Sequence, residues 1–204
     1  MRSKKTTLRS FFMLALIWTA SGAWAQNNPV TKEYYTESTS HIIAGGKDTV
    51  MHTKEYHGKE KLRVDSSMEG MEILGTSFSI MRMDKNLMWT VMPQQNAYLE
   101  SVLSPQVKAS METAASLLDK SKMKLIGTET VNGQQADKYE VQPMPGHENC
   151  KAYTFLSKDL DLPVRAETHC GAESDAVTDY TNTKAGPQAD DLFEAPAGYK
   201  KISQ

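Results

Sequence analysis

The chain has 204 residues, of which 39% are hydrophobic, with 23 Lys plus Arg against 25 Asp plus Glu, 12 methionines and only 2 cysteines. This is the composition of a globular protein with one buried core, and its length is short for two comfortable domains. The slightly acidic balance disfavours nucleic acid as a partner, because phosphate binding needs a basic face.

Arg2, Lys4, Lys5 and Arg9 precede an apolar run from Phe11 to Ala20, and Ala23-Trp24-Ala25 supplies a small-x-small cleavage site. Residues 1–25 therefore read as a signal peptide cleaved after Ala25, and residues 26–204 as a single exported domain. The apolar run is about half of the roughly 20 residues needed to span a bilayer. No cysteine stands at the cleavage site, so a soluble periplasmic product is expected, with secretion as the alternative.

From Lys32 to Ile43 the run KEYYTESTSHII is rich in β-branched and aromatic residues and reads as a strand, although its alternation is weak. Asp48 to Tyr56 and Glu60 to Ser67 read as the next two, and Met68 to Gly75 as a loop. Ser77 to Met83, Leu87 to Met92 and Asn96 to Val102 then continue a meander. In Leu87 to Met92, Trp89 and Val91 alternate with Met88 and Met92, so the strand is apolar on both faces and something should cover each. Ser104 caps and Pro105 opens the only long helical pattern, with Val107, Met111, Ala114, Ala115 and Leu118 on one stripe; it predicts a helix to Lys120 lying across the sheet.

Met123 to Val131 and Gln134 to Gln142 flank Asn132-Gly133, a strong hairpin signal because a type I′ turn needs positive φ at both central residues. CKAYTFLSKDLDLPVRAETHC, from Cys150 to Cys170, reads as an antiparallel hairpin. A turn centred on Leu160 sets Cys150 opposite Cys170, near enough for a disulfide, and pairs Leu156 with Val164 and Tyr153 with Glu167. Export favours the oxidised pair. Ala176 to Thr183 is the last predicted strand. In the proline-punctuated tail, Asp190 to Phe193 forms a helical turn, and Phe193 and Tyr199 are apolar anchors.

A leader, six meandering strands, a helix and paired hairpins, together with the segments TVNGQQADKYEV, FLSKDLDLPVRAE and DLFEAPAGYKKI, resemble the LolA-like superfamily of periplasmic outer-membrane lipoprotein-sorting carriers. The likeness is closest to exported proteins of that fold grouped as a domain of unknown function. The resemblance implies a mainly β fold, a large curled antiparallel sheet forming an incomplete β-barrel. One long helix and a short C-terminal turn would cover its concave face. It also implies a hydrophobic cavity that accepts acyl chains, and an arginine on an early strand that ties the lid shut. Arg63 in KEKLRVDS is the match for that lid contact.

The methionines fit such a cavity. Met81, Met83, Met88, Met92 and Met111, with Trp89, are the candidate lining, since soft unbranched side chains suit variable acyl chains; filling an irregular core is the competing reading. His147, Cys150, His169 and Cys170 could gather at one end of the cysteine hairpin as a metal set, but a structural cystine is the expected use of the thiols. His41, His52 and His57 show no ligand spacing, and no carboxylate stands in an apolar run. No nucleophile elbow, phosphate loop or dinucleotide fingerprint is present, so neither an enzyme nor a cofactor is expected. The expected function is non-catalytic binding of a lipid, acyl chain or lipidated partner by a monomer, with envelope lipoprotein trafficking as one setting for it. A protein-interaction or sensor module on the same fold is the alternative, and a metal-binding protein the least favoured reading.

Overall fold

Strand pairing organises the chain from end to end. The computed structural model describes residues 32–71, 77–105, 107, 120–142, 149–171 and 174–202. Its strands are β1 (Tyr34–Ala44), β2 (Lys47–Gly58), β3 (Lys61–Met68), β4 (Ser77–Arg82), β5 (Leu87–Met92), β6 (Ala97–Val102), β7 (Lys124–Val131), β8 (Gln134–Val141), β9 (Lys151–Ser157), β10 (Pro163–His169), β11 (Ser174–Ala185) and β12 (Lys200–Ile202). They form one 12-stranded sheet in the order β12-β6-β5-β4-β3-β2-β1-β11-β10-β9-β8-β7. Two meanders, β1 to β6 and β7 to β11, are joined at a seam where β1 pairs with β11.

The sheet is open, with β12 and β7 as its edges, and it is mixed: β12 runs parallel to β6. A purely antiparallel sheet was expected, and the tail changes this by crossing one face before it adds its strand. The expected helix from Pro105 to Lys120 lies largely outside the described residues, which contain no long helix. Its start is visible. Pro105 and Val107 are helical, and the Val107 N–H donates to Ser104 Oγ at 3.2 Å, the predicted cap.

Register assigns every side chain to a face. Leu62 pairs with Met81, and Met81 with Met88, so these three share one face; Arg63, Ile80 and Trp89 share the other. Val107 packs with Met81 and Met83 on Leu62 and Val64. Phe193 packs on Ile80, Trp89 and Val91, with Leu192, Ala195 and Tyr199 around it. The helix start and the C-terminal turn therefore lie on opposite faces, not together on one as the resemblance implied. The tail follows Phe193 because that ring is its most buried anchor.

Polar contacts lock this tail. The buried Arg82 guanidinium donates to both carboxylate oxygens of Asp84 at 2.8 and 2.7 Å and to the Phe193 carbonyl at 3.1 Å, and also pairs with Glu194. Lys61 reaches Asp190 at 2.7 Å. Arg82 holds the Asp84 carboxyl below the usual range. Partial burial pushes the Glu194 carboxyl up, but hydrogen bonds from Arg82 and Lys85 bring it net below its ordinary value. Gly58 leaves room for the turn: a Cβ there would stand 3.0 Å from Cε2 and Cζ of the Phe193 ring.

The cysteine hairpin has the expected pairing at its open end. Lys151 faces His169, Tyr153 faces Glu167, and Cys150 is disulfide-bonded to Cys170 with Cα atoms 4.1 Å apart. Leu156, however, faces Pro163, and a bulge follows before Arg165. Proline has no N–H for the ladder, so the strand shifts there and Val164 is lost as the partner of Leu156. Asn132 and Gly133 have φ of 51° and 80°, as a type I′ hairpin requires.

Two measurements check these features. Replacing both cysteines by serine opens a cross-link of sequence separation 20 and should cost about 3 kcal/mol in denaturant unfolding, on the chain-entropy argument. Gly58→Ala should cost about 1–3 kcal/mol by overpacking Phe193, and an unchanged melting temperature would show that the turn is not seated on this face.

Candidate functional site

Over β1 to β5 the face that carries Leu62 has two unlike parts, and beyond the seam the same face carries a separate apolar cluster of Tyr139, Val141 and Leu156. On β3, β4 and β5 it presents Leu62, Val64, Met81, Met88 and Met92, with Met83 just beyond β4. On β1 and β2 the side chains of the same face are Tyr34, Thr36, Ser38 and Ser40, then Met51, Thr53, Glu55 and His57. The burial of β1 alternates strictly from Tyr34 to Ser40, yet three of its four inward residues carry aliphatic hydroxyls. Sequence hydropathy therefore hides the period.

Some of these polar groups are paired. Ser40 and Thr178 hydroxyls lie 2.8 Å apart, as do those of Thr36 and Thr183 across the seam. Glu55, with no exposed surface, has Oε2 2.9 Å from His57 Nε2, and the His57 ring stacks on Tyr34 at 4.0 Å. Burial, and then the charge of Glu55, keep the Tyr34 phenol well above its ordinary pKa. Others have no partner: Tyr34 OH, Ser38 Oγ, Thr53 Oγ1 and Glu55 Oε1 are buried without a hydrogen bond among the described residues. Thr36 faces Glu55 and Ser38 faces Thr53, so Ser38, Thr53 and Glu55 occupy three corners of a patch about 5 Å across the strands and roughly 7 Å along them. A buried polar atom left unpaired costs about 1–3 kcal/mol, so three on one patch call for a polar occupant.

Of the lining residues read from the sequence, Met81, Met83, Met88 and Met92 come together on this face, all half-buried. Met81 and Met83 pack on Leu62 and Val64. Trp89 belongs to the opposite face, where it is buried beside Phe193 and donates to Glu100 Oε2 at 2.9 Å. Met111 and His147 lie outside the described residues. Arg63 also projects from the face opposite Val107. There it is bound to Asp65 by hydrogen bonds of 2.7 and 3.0 Å and covers the Phe78 ring at 4.0 Å. The disulfide removes Cys150 and Cys170 as thiolate ligands, and His169 lies 3.3 Å from Asp175. The sequence reading missed Glu55 and His57. The signal that could have found them is their phase with Met51, since two ionisable residues in step with the apolar position of a strand must go inside together.

No curated protein matches the chain. Among solved structures, MucB in complex with MucA(peri) is similar at 14% identity and a TM-score of 0.47, with 85% of this chain covered and 57% of that chain, so this protein spans less than two thirds of MucB. A LolA superfamily protein from Nitrosomonas europaea is similar at 11% identity and a TM-score of 0.38, covering 80% and 90% of the respective chains. A DUF1329 family protein from Desulfovibrio piger ATCC 29098 is similar at 17% identity and a TM-score of 0.31, covering 79% and 89%. Residues 44–162, more than half of the sequence, match the domain of unknown function DUF4412, and the chain belongs to that family.

Proposed function

We propose that this protein is an exported, non-catalytic binding protein for an amphiphile, acting in the envelope once residues 1–25 are removed. The observation that carries the reading is that, over β1 to β5, the Leu62 face sets a methionine-rich part beside a part lined by hydroxyls and a carboxylate. An acyl or alkyl chain lies along Met88 and Met92, where adaptable thioethers accept varied chains. The polar head lies towards Ser38, Thr53 and Glu55, whose unpaired oxygens offer acceptors to a head that carries donors. The disulfide fits an oxidising compartment. Carriage of a lipidated protein is one use of such a site.

Displacement of a fluorescent fatty-acid probe from the mature protein tests this. Dodecylammonium should displace the probe at lower concentration than laurate, and Glu55→Gln should erase that preference. Met92→Ala should weaken the probe with little change in melting temperature, whereas Met81→Ala, packed on Leu62, should cost about 2 kcal/mol. Failure of the wild-type protein to bind any alkyl probe would end the amphiphile reading.

A further inference from the structure

The face that carries Trp89 holds an open cleft of about 660 Å³ between β1, β2 and the end of β11. Its size falls within the roughly 300–1,000 Å³ of small-molecule pockets. Tyr35 and Tyr56, directly paired across β1 and β2, supply two rings with centroids 5.0 Å apart and planes inclined by 47°. Glu37, Asn182, Lys184 and Gln188 complete the polar lining.

The polar groups are tied in advance. The Tyr35 hydroxyl donates to Glu37 Oε1, and Asn182 Nδ2 donates to Glu37 Oε2 at 3.0 Å. Gln188 Nε2 donates to the Gly186 carbonyl at 2.8 Å, which braces the loop that follows β11. Asn182 reaches Glu37 because the ladder is irregular there: Tyr35 faces Lys184 but Glu37 faces Thr181, so one residue of β1 stands against two of β11. Asn182 takes a φ of 51° in this bulge, a left-handed conformation that carries a backbone cost, and bulges of this kind re-aim side chains.

The charges decide what fits. Hydrogen bonds from Tyr35 and then Asn182 hold the Glu37 carboxyl below its ordinary range, with Lys54 and Lys184 adding to the effect. Burial first, and then the bond to Glu37, raise the Tyr35 phenol, which stays protonated as a donor. A carboxylate flanked by two ammonium groups selects neither a cation nor an anion. What remains are ring surfaces beside alternating donors and acceptors in a cleft open to solvent. A pyranose has the complementary chemistry, with C–H faces that lie on aromatic rings and an edge of hydroxyls that both donate and accept. We propose that this cleft binds a neutral oligosaccharide, with Tyr35 and Tyr56 stacking on sugar faces and the Glu37 and Asn182 pair reading neighbouring hydroxyls.

Saturation-transfer NMR of the mature protein with maltotriose, cellotriose and triacetylchitotriose at millimolar concentration tests the proposal. At least one should receive saturation at its ring protons. Asn182→Gly is the informative variant, because glycine accepts the left-handed φ without strain and only the amide is lost. It should keep or raise the melting temperature, weaken the sugar about fivefold, the worth of one net hydrogen bond, and leave alkyl-probe binding on the other face unchanged. Tyr56→Ala should abolish the transfer. Absence of transfer to all three sugars overturns the proposal, as does a signal that persists undiminished in both variants.

Discussion

Everything in this sheet depends on the seam between β1 and β11. Among the described residues this is the strand pairing that joins the two meanders, and it brings together residues far apart in the chain. The seam is also where the inward positions are least apolar, with Thr36, Ser38, Ser40 and Thr178 all buried. Hydrophobic burial is weak there, so the ladder itself and cross-seam hydrogen bonds, among them Ser40–Thr178, Thr36–Thr183 and Asn182–Glu37, must hold it. A net hydrogen bond contributes only about 0.5–1.5 kcal/mol, whereas a buried polar atom without one costs about 1–3 kcal/mol. The unpaired oxygens of Ser38 at the seam, and of Thr53 and Glu55 on the adjoining β2, are thus a liability that apolar side chains would not carry. A binding role gives that liability a reason.

The C-terminal turn solves a different problem. Ile80, Trp89 and Val91 form an apolar surface on the face away from Leu62, which would otherwise be open to water. Phe193 closes it, and the charges around it hold the lid in register. Arg82 is buried, and a buried guanidinium is costly unless its donors are satisfied. Asp84, the Phe193 carbonyl and Glu194 satisfy them from two directions, so the arginine ties the sheet to the tail. Arg63 on the neighbouring strand does nothing comparable, because Asp65 two residues along already occupies it.

Much of the fold was legible in the sequence. The bounds of β5, β9 and β10 follow from β-branched and aromatic runs ended by turn residues, and Asn132-Gly133 announces its hairpin. What was not legible has physical causes. β12 is three exposed residues, two of them lysine, and forms only because the tail is already pinned at Phe193. The bulge after Pro163 needs the knowledge that a partner strand asks this residue for an N–H. Glu55 went unremarked and His57 was set aside for want of ligand spacing because Lys54 and Tyr56, their neighbours along β2, hide the inward phase that both share with Met51. The opposite faces of Arg63 and Leu62 were readable from parity alone, once a covering element could be assigned to each face.

Parity also fixes how the two proposed sites relate. Tyr34 turns to the Leu62 face and stacks on His57; its neighbour Tyr35 turns to the other and meets Tyr56. Two adjacent pairs on paired strands, Tyr34-Tyr35 and Tyr56-His57, therefore contribute to both surfaces through the same short stretch of backbone. A slip of one residue between β1 and β2 would exchange their surroundings, placing the phenol that neighbours Glu37 against Leu62 and the buried imidazole in water. The left-handed turn at Gly45-Gly46 sets the pairing of these strands, so the register on which both surfaces depend is fixed at the far end of the same hairpin. Side chains can be changed on either face without touching the other, but the spacing of β1 against β2 belongs to both.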